Sequence, residues 1–75
     1  MLGKFDLPEV AALRDRILEP GVDSFQAAEF IRLFLEKHGY GAPDKLRNDL
    51  MKQRIAPSSH VDVFRWQLER IAFAN

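Results

Sequence analysis

Apolar residues recur along this chain at helical spacing in four separate stretches, each bounded by residues that start or stop helices. In the first, Val10, Leu13 and Ile17 form one stripe, which Leu7, Ala11 and Leu18 widen and Arg14 interrupts. Asp6 stands where an N-cap belongs. Leu7 and Pro8 fill the opening turn, where the N–H that proline lacks had no partner anyway. Pro20 predicts an end near Leu18 or Glu19. The second stretch is the strongest. Pro20-Gly21 breaks the chain, and Asp23 and Ser24 are both residues whose short side-chain oxygens cap first-turn N–H groups. Gln26 follows Asp23 at capping-box spacing. At about 100° per residue, Ala27, Ala28, Phe30, Ile31, Phe34 and Leu35 share one broad face, with Glu29, Arg32 and Glu36 opposite. Phe30 and Phe34 lie near the middle of that arc and are expected to anchor the core. Lys37 and His38 suit the last turn, and Gly39 suits the C′ position, so the helix is predicted to run to about His38. A connection of about five residues predicts that the first two helices pack as antiparallel neighbours.

After the loop Tyr40-Gly41-Ala42-Pro43, Asp44 is expected to cap a short third helix reaching about Arg54, with Leu46 and Leu50 inward. Ala56-Pro57-Ser58-Ser59 breaks it. Ser59, with Asp62 at capping-box spacing, is expected to cap a last helix running to about Ala74. On that helix Val61, Phe64, Leu68, Ile71 and Ala72 make one apolar face. Val63, Trp66 and Phe73 fall on roughly the other side, with Arg70 among them. Either the helix is central, or its C-terminal end is covered by the lead-in with Leu2 and Phe5, or this second side is an exposed aromatic stripe for a partner or a second copy. The pattern predicts an all-α fold: one domain over residues 1–75, a small bundle of three main helices plus one shorter helix.

Composition narrows the picture. The 47% hydrophobic content of the 75 residues suffices for one core. The absence of cysteine excludes a disulfide framework and a thiolate metal site. There is no charged segment followed by an apolar run, as a secretion signal requires, and no apolar run approaches membrane-spanning length. A cytoplasmic protein without a membrane partner is expected. Formal charge is zero; residues 1–43 carry a net −2 and residues 44–75 a net +2, too small an asymmetry to imply nucleic acid.

No catalytic constellation emerges. The carboxylates are spread around helix surfaces, and His38 and His60 lie 22 residues apart with no metal-ligand spacing. His38 reads as a helix C-terminal histidine and His60 as a first-turn surface residue. Lys45, Arg47, Asn48, Lys52, Gln53 and Arg54 give the third helix a polar, basic side, but Asp44 and Asp49 dilute it. The long preceding helix and the glycine- and proline-containing turn do not fit a helix-turn-helix reader. No enzyme activity and no nucleic-acid partner are expected.

The remaining signal is Gly21-Val22-Asp23-Ser24-Phe25, which resembles the Gly-x-Asp-Ser-Leu motif of acyl and peptidyl carrier proteins. Further positions agree over residues 21–44. Glu29 falls at the usual glutamate, followed by the apolar pair Phe30-Ile31; Gly39-Tyr40 matches the glycine and apolar residue after the helix; Pro43-Asp44 matches the proline and acidic residue before the third helix. Ser59-His60-Val61 stands where carriers open their last helix with Thr-Val. The resemblance implies a covalent 4′-phosphopantetheine on Ser24, flanked by Asp23, that ferries acyl or aminoacyl groups between acyl-transfer or biosynthetic enzymes. A phosphodiester there would sit at a helix N-terminus, which favours an anion. Glu29 and Glu36 would meet basic partner enzymes by electrostatic steering. The other function class the sequence offers is a helical protein–protein interaction adaptor or regulator that uses Trp66 and Phe73, with a homodimer as one form of that association.

Overall fold

The computed structural model describes residues 4–74. Four helices follow one another: α1 (Leu7–Ile17), α2 (Ser24–Lys37), α3 (Leu46–Met51) and α4 (Val61–Ile71). Two short segments, β1 (Tyr40–Gly41) and β2 (Phe73–Ala74), pair antiparallel, with Tyr40 opposite Ala74 and Gly41 opposite Phe73. The class is the predicted one, a small all-α bundle with three main helices and a shorter one. Among the described residues no helix is long and apolar enough to cross a membrane.

The first two helices follow their sequence signals. Asp6 occupies the N-cap of α1 with Pro8 in the first turn, although its side chain makes no capping bond. Val10, Leu13 and Ile17 are buried. Asp23 caps α2 through a complete capping box: Gln26 N–H donates to Asp23 Oδ1 at 2.8 Å, and Asp23 N–H donates to Gln26 Oε1 at 3.3 Å. Gly39 follows with φ +84°, the left-handed conformation its position demands.

The apolar arc of α2 is centred differently from the expectation. Ala27, Ile31 and Leu35 are its buried line, whereas Phe30 and Phe34 are partly buried against the core. The helix meets α1, α3 and β1. Its innermost line therefore runs between those neighbours, and the two phenylalanines lie on its shoulder toward α1. The core proper joins Val10, Leu13, Ile31, Leu35, Phe64 and Leu68 across α1, α2 and α4.

Three further boundaries are corrected. First, α3 is only Leu46–Met51, with Lys45 rather than Asp44 at its N-cap. It stops because Gln53 turns left-handed at φ +59°. Arg54 N–H then bonds to Asp49 C=O at 2.9 Å and Gln53 N–H to Leu50 C=O at 3.2 Å, the paired bonds of a Schellman ending. This return carries Ile55 into the core. Second, His60 caps α4 in place of Ser59: its Nδ1 accepts from Asp62 N–H at 3.2 Å. Ser59 belongs to the preceding turn, where its N–H bonds to Ala56 C=O and its carbonyl accepts from Arg14 Nε at 3.1 Å. Third, α4 ends at Ile71, short of Ala74. Its last carbonyls are claimed by Lys4, whose Nζ donates to Glu69 C=O at 3.1 Å and Ala72 C=O at 3.0 Å. Ala72 becomes extended and the chain leaves as β2.

The lead-in is part of the domain. Phe5 is 3% exposed. Its ring centroid lies 5.2 Å from that of Phe34, 5.4 Å from His38 and 5.5 Å from Tyr40. It seals the end of α2 against β1 and does not cover Trp66. Leu2 lies outside the described residues.

Candidate functional site at the start of α2 and the outer side of α4

Ser24 is the first residue of α2 and is partly exposed. The capping work is done by Asp23, which is exposed beside it. Phe25, the next residue, is 63% exposed. The guanidinium of Arg47 lies 5.7 Å from the Phe25 ring centroid, so α3 reaches across to the start of α2. The site therefore offers a hydroxyl at the N-terminus of the longest helix, with a large apolar ring next to it and a cation over that ring.

Glu29 and Glu36 share the outer side of α2 but are not free charges. Arg32 lies one turn from each and bridges them: Nη2 and Nε pair with Glu29, and Nη1 pairs with Glu36 at 2.9 Å. These partners, Glu29 foremost, raise the Arg32 pKa above its ordinary value, so the guanidinium stays charged. The trio carries one net negative charge spread over a helix surface. The sequence placed the three residues together correctly, but the helical i,i+3 and i,i+4 pairing sets their electrostatic effect.

On α4, Trp66 is 55% exposed and Val63 lies exposed on the same side. The Arg70 guanidinium stands 4.7 Å from the Trp66 ring centroid, a cation–π distance. Phe73 is also exposed, but it belongs to β2 and pairs with Gly41, so the expected seven-residue helical repeat with Trp66 does not exist. The apolar outer side of α4 itself is Val63 and Trp66.

His38 sits at the C-cap of α2, its ring 4.6 Å from that of Phe34 between centroids. Its Nε2 is buried without a hydrogen-bond partner and lies 3.7 Å from Glu9 Oε2. Between α1 and α2 an open groove of about 340 Å³ is lined by Leu13, Phe30, Leu33 and Phe34, with Arg16 and Lys37 at its rim. Among the described residues no three histidine, aspartate or glutamate side chains converge as a metal ion would need.

The sequence reading set Asp49 among the charges on the polar side of the third helix, and its burial corrects that placement. Asp49 is 4% exposed, the one buried charged residue among those described. The signal was available: Asp49 lies three residues after Leu46 and so shares the inward side of α3. No family model matches the chain, and no curated protein or solved structure matches it significantly.

Proposed function

We propose that this chain is a carrier domain that holds 4′-phosphopantetheine on Ser24 and passes acyl or aminoacyl groups between partner enzymes. The observation that carries the reading is the division of labour at the start of α2: Asp23 supplies the cap, which leaves the partly exposed Ser24 hydroxyl at the first helical position. Attachment there puts a phosphodiester at the N-terminus of a 14-residue helix, against unpaired N–H groups and the positive end of the dipole. The motif over residues 21–44 and the order of two long helices, a short one and a long one favour the same reading. Phe25 gives partner enzymes an apolar contact next to the arm. Because Arg32 neutralises Glu29 and Glu36 in part, recognition in this carrier rests less on acidic steering than on such contacts. The interior is filled by core side chains, so a thioester-bound chain rests in the surface groove between α1 and α2. That groove begins at Phe30, about 9 Å along the helix from Ser24.

The test is intact mass after incubation with coenzyme A and a broad-specificity phosphopantetheinyl transferase. A gain of one phosphopantetheine group, lost in Ser24→Ala, is the expected result. An unchanged mass under conditions that load a control carrier fully refutes it.

The exposure of Trp66 favours a second reading, an adaptor or self-associating module that buries Trp66 and Val63 against a protein partner. Truncating a central aromatic anchor costs about 2 kcal/mol or more of association. Trp66→Ala is therefore expected to leave the thermal midpoint nearly unchanged and to lower the sedimentation coefficient of any dimer. Collapse of the monomer would refute it.

A further inference from the structure

A second site lies between α3 with its flanking loops and α4, and Ser24 is not part of its lining. An open groove of about 550 Å³ runs between them, with Ile55 and Ile71 on its floor and Lys45, Arg54 and Arg70 around it. Asp49 also lines it. The Asp49 side chain is 6% exposed, and its Oδ1 is buried with no hydrogen-bond partner. The nearest cation, Arg54 Nη1, stands 3.9 Å from that oxygen, beyond hydrogen-bond reach. A buried carboxylate oxygen without a donor is costly, and here it borders an open groove that three cations flank.

We infer that this groove binds an acidic peptide segment in extended conformation, with backbone N–H groups donated to Asp49 and acidic side chains set against the surrounding cations. Two observations select this chemistry. The first is that the groove needs a donor and anions at once. A simple anion satisfies the cations but is repelled by Asp49, whereas a peptide carries N–H donors and carboxylates on one chain. The second is the number of cations. Lys45, Arg54 and Arg70 all line one groove, and a peptide segment sets more than one carboxylate against them, whereas one small anion brings a single charge. The apolar floor at Ile55 and Ile71 takes the residue between two such carboxylates.

The protein carries its own reporter. Arg70 both lines the groove and stacks on Trp66, the only tryptophan. A carboxylate that draws Arg70 into the groove changes the surroundings of the Trp66 indole. The site does not depend on whether Ser24 carries a prosthetic group.

The probe is an N-acetylated, C-amidated peptide of alternating glutamate and alanine. Trp66 emission and backbone amide shifts are followed in the full chain at fixed ionic strength. The expected result is saturable binding, with the largest shifts at Asp49, Arg54, Gln67 and Arg70. A glutamine-for-glutamate peptide should bind about tenfold or more weakly, and Arg54→Gln should weaken the acidic peptide to a similar degree. Arg54 is exposed, so that variant removes no buried side chain, and a retained helical circular-dichroism signal checks its fold. Asp49→Leu, which removes the acceptor together with the charge, decides the role of the carboxylate. A bare cationic patch binds the acidic peptide more tightly once the negative charge is gone; in the inferred site the N–H donors lose their acceptor and binding weakens instead. If Asp49→Leu unfolds the domain, Lys45→Gln takes its place, and loss of affinity there together with retained amide shifts at Asp49 supports the site. No saturable binding, equal response to phosphate at matched ionic strength, or tighter binding by Asp49→Leu overturns the inference.

Discussion

Two helix ends in this domain solve the same geometric problem with different residues, and exchanging them predicts stability changes of opposite sign. At the end of α2 the left-handed position is Gly39, at φ +84°; at the end of α3 it is Gln53, at φ +59°. Both donate backbone bonds to the turn behind them, Gly39 to Glu36 C=O at 3.0 Å and Gln53 to Leu50 C=O at 3.2 Å. An L-residue in this conformation costs about 1–2 kcal/mol because Cβ crowds the backbone. Glycine avoids that cost but loses about 0.5–1 kcal/mol more conformational entropy on folding. The difference leaves glycine favoured by about 0.5–1 kcal/mol at either position. A Cβ built on Gly39 meets nothing within 4 Å, so Gly39→Ala adds no clash and its cost is purely that of the backbone. Gln53 is exposed, so Gln53→Gly removes no core contact. For 75 residues, unfolding entropy near 60 °C is about 0.16 kcal/mol/K, which converts these energies to about 3–6 °C. Thermal unfolding followed by circular dichroism should show Gly39→Ala melting lower and Gln53→Gly melting higher than the parent by that amount, with α-helical signal retained. If both variants shift in the same direction, or Gln53→Gly is destabilising, the left-handed assignment at α3 is wrong and its ending must be held by the Gln53 side chain instead.

Other outcomes follow from the packing and the caps. Phe64 is fully buried in the core, so Phe64→Ala should cost about 3–5 kcal/mol, whereas the partly buried Phe34 should cost distinctly less; urea midpoints of the two variants rank them, and equal losses would contradict the assignment of Ile31 and Leu35 as the centre of α2. Asp23→Ala removes the side-chain oxygen that accepts from Gln26 N–H, while the bond from Asp23 N–H to Gln26 Oε1 remains; the change should cost about 1 kcal/mol, read as a lower thermal midpoint that Asp23→Ser largely restores. Arg32→Gln leaves Glu29 and Glu36 unpaired on one helix surface. Because the pairs are solvent-exposed, the loss should stay below about 1 kcal/mol and shrink with added salt, as melts at low and high ionic strength would register.

The helices were legible where two signals coincided. α2 has an apolar face of period 3.6 and a cap of the right spelling at each end, and its start and finish were read almost to the residue. α1 had proline on both sides. The third and fourth helices had periodicity but competing caps, and tertiary bonds decided between them. Ser59 reads as well as His60 for an N-cap, yet its carbonyl is held by Arg14, 45 residues away. Helical spacing carries the apolar face of α4 through Ala72, yet Lys4 captures the last carbonyls and turns the chain into β2. Gln53 carries no turn signal of its own; its left-handed backbone is imposed by the need to bring Ile55 back to the core. Contacts of this range leave no mark on local spacing.

The candidate sites divide along the same line. Asp23-Ser24 before an apolar stripe is what any well-capped helix can carry, so the local sequence could not distinguish an attachment point from a cap. Which of the two residues caps is a matter of side-chain geometry. Asp23 accepts from the Gln26 N–H, so the helix start does not depend on the Ser24 hydroxyl. Glu29 and Glu36 show the converse. Their positions on the outer side of α2 were fixed by periodicity, but their field was not, because Arg32 between them reaches both. A face that reads as acidic by spacing is nearly balanced in three dimensions. Positive charge in excess of negative lines the groove between α3 and α4, where Lys45, Arg54 and Arg70 share the lining with a single buried carboxylate, Asp49. If partners meet this domain through charge, the direction of approach set by the folded chain is therefore toward Asp49 rather than along α2.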